Sequence, residues 1–233
     1  MTRDITNAVK LAGPNPDMNP RLALAIATAK KSAVPKAPIE AAIARGQGLS
    51  ASGAALESVV LEAVLPPSVA TIIECQTDSK LRTLAQLRLL VKEAGGTVST
   101  VGYMFEKKGR ILLHQKEGMG VDEVLEPALD AGVLDVEEDD QGRVVLYTEP
   151  SQTKTIAEQL AKELGLEIEE SEIIYAPNED TRVALDEEGK AKDLGRFLDS
   201  LQDVQGVNGV YMNWAKGSIP NALWDELRTK TTV

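Results

Sequence analysis

Residues 75–109 read CQTDSKLRTLAQLRLLVKEAGGTVSTVGYMFEKKG. The segment leaves an apolar run at Cys75, crosses a polar Thr77-Asp78 turn and then repeats Leu84, Leu87, Leu90 and Val91 at helical spacing before Gly95-Gly96. It ends on Tyr103 and Phe105 beside Lys107-Lys108-Gly109. A period of two, then 3.6, then two again is the pattern of strand, helix and strand. With residues 69–75 as the first strand, the segment predicts β-α-β-β. Its last two strands are expected over 98–105 and 110–114, joined by a hairpin turn at 106–109 with Gly109 where positive φ is tolerated.

Toward the C-terminus a second unit is expected. A helix over 121–131 closes at Gly132, strands at 134–137 and 143–147 bracket a hairpin turn at 139–142, and Ser151 is placed to cap a helix that runs to Leu164 and stops at Gly165. A strand over 166–175 completes α-β-β-α-β. Beyond it lie a short strand at 183–185, an amphipathic helix over 187–201, an apolar strand over 207–214 and a short helix at 223–227. The helix and strand over 187–214 have no sheet of their own, and the opening β-α-β-β unit lacks a second α-β. Residues 179–214 are therefore expected to complete that unit around an insert, with a linear arrangement as the competing topology.

Toward the N-terminus the pattern is helical. Asn19-Pro20 forms an N-cap and N1 pair, Leu22, Leu24, Ile26, Ala29 and Ala33 supply apolar positions, and Pro35 ends that helix. Pro38 opens another, with Gly46 as its expected C′ residue and 46–53 as a Gly/Ser/Ala linker. The domain boundaries that follow are 1–55 (helical), 56–114 plus 179–233 (α/β) and 115–178 (inserted α/β).

The chain has 233 residues and is 43% hydrophobic, enough for a sizeable core, but only 3% aromatic, so that core is built from aliphatic residues. One cysteine, Cys75, excludes an internal disulfide framework, and a single histidine, His114, leaves too few soft ligands for a zinc site. No run is long enough to span a membrane, and no secretory signal is visible. The formal charge is −11, but residues 1–50 carry seven Lys/Arg against three Asp/Glu, a net +4 that leaves −15 on the remainder. That split suggests a basic contact module on an acidic body, the competing reading being helices that use Lys and Arg as good helix formers.

No enzyme signature survives inspection: there is no phosphate-binding glycine loop, no nucleophile elbow and no base beside Cys75 or a serine. No cofactor or small-molecule substrate is expected. The acidic runs 137–140 and 167–172 read as solvated surface. Arg82 in a helix's first turn opposes the dipole unless it pairs with Asp78 or meets an anion, and the intramolecular pair is the favoured reading. Tyr103 and Phe105 beside Lys107 and Lys108 have the composition of a base-stacking, phosphate-holding strand, although core aromatics beside a solvated turn are the favoured reading.

These residues resemble the YebC/PmpR-type family, which includes the mitochondrial translational activators of cytochrome c oxidase. The resemblance is carried by Asn19-Pro20-Arg21-Leu22, Ala25-Ile26, Ala29-Lys30, Pro35-Lys36, Ile39-Glu40 and Ala42-Ile43. It continues through Thr77-Asp78, Arg82-Thr83, Gly95-Gly96, the run Tyr103-Met104-Phe105-Glu106-Lys107-Lys108-Gly109, Asp135-Val136-Glu137, Asp203-Val204-Gln205 and Tyr211. It implies an α+β, three-domain protein: a helical N-terminal domain and two α/β sandwich domains, one inserted in the other.

The resemblance also implies a non-enzymatic translation factor acting on the ribosome or mRNA in the mitochondrial matrix. The alternatives are a cytoplasmic DNA-binding transcriptional regulator and an acidic protein-interaction scaffold. Expected nucleic-acid or ribosome contacts are Arg21, Lys30, Lys31, Lys36, Arg45, Arg82, Lys107 and Lys108. Two departures stand out. A basic segment rich in Lys, Arg, His and Trp is expected ahead of Arg3-Asp4-Ile5-Thr6, and 61–68 reads LEAVLPPS where the family has a glycine-rich run.

Overall fold

Asn19 shows how a polar side chain organises the N-terminal helices. Its carboxamide oxygen accepts from the Leu22 backbone N–H at 3.0 Å, capping the helix as its sequence position predicts. Its amide nitrogen donates to the carbonyls of Ala8 and Gly13 at 2.8 and 2.9 Å, so one buried side chain ties the end of the preceding helix to the start of the next. The computed structural model describes residues 2–50, 53–115, 118, 120–139, 141–165 and 167–232. Within them α1 spans Thr2–Ala12, α2 Pro20–Lys31 and α3 Lys36–Gly46.

The three helices close on Ile5, Ala8, Val9, Leu22, Ala29, Ile39 and Ala42. Small residues let the axes approach closely, and Gly46 is the extreme case. A Cβ there would fall 2.7 Å from the Val9 side-chain Cγ1 and 2.9 Å from the Thr6 carbonyl. The expected C′ role of Gly46 is thus corrected: it is the last residue of α3, and Gly48 carries the positive φ of +76° just beyond.

The strands are β1 (Glu57–Leu65), β2 (Val69–Thr77), β3 (Thr97–Val98), β4 (Phe105–Leu113), β5 (Asp135–Glu138), β6 (Val144–Thr148), β7 (Ile168–Pro177), β8 (Val183–Leu185), β9 (Val207–Met212) and β10 (Trp214–Lys216). The remaining helices are α4 (Lys80–Glu93), α5 (Val121–Asp130), α6 (Thr153–Leu164), α7 (Glu188–Gln202) and α8 (Asn221–Arg228). The strands form a sheet ordered β3-β1-β2-β9, a second ordered β5-β6-β4-β7 and a two-stranded pair β10-β8. β9, late in the chain, lies beside β2, and β4 to β7 fall between them in sequence.

Three local expectations are corrected. β1 was not anticipated, although Val59, Leu61, Ala63 and Leu65 alternate as buried positions. Glu62, on its other face, accepts the Val101 and Gly102 backbone N–H groups at 2.6 and 2.8 Å, so the acid that disguises the strand has a structural partner. The expected hairpin at 106–109 is instead one continuous strand, β4, entered through a short 3₁₀ turn at Gly102–Met104. β4 pairs antiparallel with β6 and with β7, and thus lies in the sheet that the insert was expected to form alone. Gly109 is needed there not for a turn but for close approach, because a Cβ would collide with the hydroxyls of Thr148 and Thr153. Finally, α6 starts at Thr153 with no side-chain cap from Ser151; the Thr153 hydroxyl donates to the Glu149 carbonyl at 3.1 Å instead.

The chain divides into two compact units, 1–60 with 74–88 and 204–208, and 61–73 with 89–203 and 209–233. The second is the larger. Its first apolar cluster joins Ile111, Val124, Ala128, Val144, Leu146, Ile156 and Leu160 under the β5-β6-β4-β7 sheet, covered by α5 and α6. A second joins Ala70, Ile72 and Tyr211 of one sheet to Phe105 and Ile174 of the other. Fully burying one such aliphatic side chain contributes about 1.5–3 kcal/mol.

Candidate nucleic-acid interface

The cations expected to meet an anionic partner differ in how the fold treats them. Lys30 and Lys31 close α2, where cations suit the dipole, and both are exposed with no ion pair among the described residues. Lys36 begins α3 and reaches Glu40 one turn on at 3.3 Å, an exposed contact that leaves the ammonium in water. Arg21 is half-buried and engaged within the protein.

Arg45 and Arg82, 37 positions apart in sequence, line one cleft of the smaller unit. It is bounded by Ala41 and Arg45 of α3, by Leu49, Ser50 and Leu56, by Gln76, Thr77 and Asp78 at the end of β2, by Arg82 of α4 and by Gln205. Arg82 donates to the Asp78 carboxylate at 2.6 Å, the pairing expected from an arginine in a helix's first turn. That pair is exposed and contributes no more than about 1 kcal/mol. Arg45 is half-buried, and its side chain has no ion pair or hydrogen bond among the described residues.

The cleft is shaped by local backbone rules. The Thr77 hydroxyl accepts from the Ser79 backbone N–H at 3.0 Å and from the Thr83 hydroxyl at 2.8 Å, which fixes the β2–α4 turn. Gly206 has φ +97°, and its carbonyl accepts from the Gln76 N–H at 2.8 Å. A Cβ on Gly206 would strike the Gln76 carbonyl, so both sterics and φ demand glycine and hold Gln205 beside Gln76. Asp78, Gln76 and Gln205 were not expected to share a site with Arg45; Asp78 alone carried a signal, its four-residue spacing to Arg82.

Lys107 and Lys108 belong to the larger unit, in β4 rather than in a turn. Lys107 sits 4.8 Å above the Tyr175 ring and Lys108 pairs with Glu106 at 3.0 Å. Of the two aromatics proposed for stacking, Phe105 is buried in the core and Tyr103 is 71% exposed in the 3₁₀ turn. They share neither a strand face nor an environment.

Part of the acidic runs is internally paired, while Glu137, Glu138 and Glu167 are exposed. Arg110 reaches Glu170 and Glu172 at 3.5 and 3.2 Å, and Arg143 reaches Asp139 and Glu169 at 2.7 and 2.8 Å. Burial works against the Asp139 charge, but backbone and side-chain hydrogen bonds from Arg143 prevail and hold its pKa below the usual value. Cys75 is buried, which pushes its thiol up to about 11 with help from Glu74. His114 is exposed after β4, its backbone N–H bonded to the Glu167 carbonyl at 2.8 Å. Among the described residues no group of three His, Cys, Asp or Glu is placed to hold a metal, and no helix is long and apolar enough to cross a membrane.

Comparison with known proteins places this fold in a family. The family described as "TACO1/YebC protein N-terminal domain" matches residues 1–49, and that described as "TACO1/YebC second and third domain" matches 56–214. The chain belongs to the TACO1/YebC family. A probable transcriptional regulatory protein of Persephonella marina is 40% identical over 215 residues, covering 91% of this chain and 84% of the relative. One from Bifidobacterium animalis subsp. lactis is 33% identical over 229 residues, covering 97% and 89%. The crystal structure of a conserved hypothetical protein from Aquifex aeolicus superposes with a TM-score of 0.66 at 32% identity, covering 94% of this chain and 89% of that one.

Proposed function

We propose that this protein is a non-enzymatic regulator of gene expression that holds the phosphate backbone of duplex DNA through its helical N-terminal unit. The observation that carries this reading is the set of cations left without carboxylate partners on α2 and α3: Lys30 and Lys31 exposed, Arg45 half-buried. Unpaired Lys and Arg are what displace counterions from a phosphate backbone. The larger unit carries most of the acid, and its arginines are already engaged. The names of the bacterial relatives support a DNA-binding regulator over a ribosome-bound translation factor, and a cytoplasmic setting over a mitochondrial one.

The test is fluorescence anisotropy with a labelled duplex of roughly 25 base pairs, long enough for a site of two helical turns, and a single-stranded RNA of the same length, each titrated at several salt concentrations. Duplex binding that weakens steeply with salt is the expected result. Binding of RNA alone would transfer the reading to the translational branch of the family, and binding of neither would remove the nucleic-acid role.

A further inference from the structure

We infer that the cleft between α3, the β2–α4 turn and Gln205 is a site for a single phosphoryl group, a deepening that rests on the nucleic-acid reading above. Its lining is polar and cationic at the centre: Arg45, Arg82, Gln76 and Gln205, with Asp78 the one carboxylate. The cleft's net charge is therefore positive in a chain whose total is −11.

Three features fit an oxyanion. Arg45 is half-buried and its side chain has no partner among the described residues, so its guanidinium has given up part of its hydration without a compensating protein acceptor. Arg82 uses one nitrogen on Asp78, and a guanidinium has five N–H donors, so it can hold a second acceptor at the same time. Gln76 and Gln205 are kept side by side by the backbone bond between Gln76 and Gly206, and each offers two amide donors.

Size sets the class of ligand. The cleft encloses about 30 Å³, whereas one water needs about 10–15 Å³ on the same measure. That is room for roughly two or three water-sized groups, such as the inward-facing oxygens of one phosphate, so the phosphoryl group enters while what is attached to it stays in solvent. The interaction is thus sequence-independent. Asp78 opposes it, and that supplies the sharpest test: a site that repels its own ligand through one carboxylate improves when the carboxylate is neutralised.

The experiment uses the full chain with two probes, inorganic phosphate and the labelled duplex, and the variants Arg45→Gln, Arg82→Gln and Asp78→Asn. In wild type, phosphate shifts the Arg45 side-chain Nε–Hε NMR resonance at millimolar concentration. Arg82→Gln weakens that response and Asp78→Asn strengthens it several-fold. With duplex, Arg45→Gln lowers the magnitude of the salt slope by roughly 0.9, the value for one phosphate no longer neutralised.

A phosphate response without a change in duplex slope supports the site with a free anion as occupant, even if duplex binding itself fails. A reduced slope without a phosphate response supports a backbone phosphodiester as occupant. An Arg45 resonance unmoved by phosphate, together with a duplex slope unchanged by Arg45→Gln, overturns the site while leaving the nucleic-acid reading standing on Lys30 and Lys31. Because the Arg45 side chain has no hydrogen bond or ion pair that its replacement would break, Arg45→Gln is expected to fold; equal melting temperatures check this.

Discussion

The arginines of the larger unit and the helix cations of the smaller one are committed to different degrees. In the larger one, Arg110 and Arg143 lie across strands, their side chains only 18% and 22% exposed, and each is held by two carboxylates. In the smaller one, Lys30, Lys31 and Arg45 have no carboxylate partner among the described residues. Net charge alone would have assigned the whole acidic protein away from nucleic acid. What matters for a phosphate ligand is where positive charge is left uncommitted, and pairing, more than composition, decides that.

The comparison breaks first at the core beneath the paired charges. Leu146→Ala removes a fully buried side chain under the β5-β6-β4-β7 sheet and is expected to cost about 3 kcal/mol, read as a lowered urea midpoint. If the larger unit instead drew its stability from ion pairs, that loss would be small and the next variant's large. Arg143→Ala leaves Asp139 and Glu169 without their partner and is expected to cost about 1–2 kcal/mol at neutral pH. The same pair has a pH signature. The Asp139 pKa is depressed on folding, so its stabilisation is present above the unfolded carboxylate value and is lost as pH falls through the folded one. Asp139→Asn should therefore flatten the acid limb of a stability–pH curve, and a curve identical to wild type would contradict the pairing.

In the smaller unit, Lys30→Gln with Lys31→Gln should lower the unfolding free energy by no more than about 1 kcal/mol, read from urea unfolding, the scale of two exposed cations at a helix C-terminus. A larger loss would mean that these lysines are structural after all. The smallest effect concerns Cys75. Its thiol, buried and raised to about 11, should stay unlabelled by iodoacetamide at mildly alkaline pH in the native protein and label fully in urea.

Local chemistry made much of this fold legible. The Asn19-Pro20 cap, the stop at Gly165 with φ +59° and the Asp78–Arg82 pair all depend on residues within a few positions of each other, and all three are present. β4 was misread because Gly109 serves Thr148 and Thr153, far along the chain, while its local neighbours suggest a turn. β1 was hidden by Glu62, whose partners Val101 and Gly102 are equally distant in sequence. The cleft was illegible for the same reason: Arg45 and Arg82 were each singled out, yet nothing in their separation says that they meet, or that Gln76 and Gln205 join them.

The central claim is that uncommitted cations of the smaller unit neutralise the phosphates. The most direct measurement is the salt slope of duplex binding for three proteins: wild type, Lys30→Gln/Lys31→Gln/Arg45→Gln, and Lys107→Gln/Lys108→Gln. The slope should fall in magnitude by about 2–3 for the first set, near 0.9 for each phosphate left without its cation, and stay within error of wild type for the second, whose lysines already rest on Tyr175 and Glu106. A slope that drops for the second set and not for the first would contradict the account.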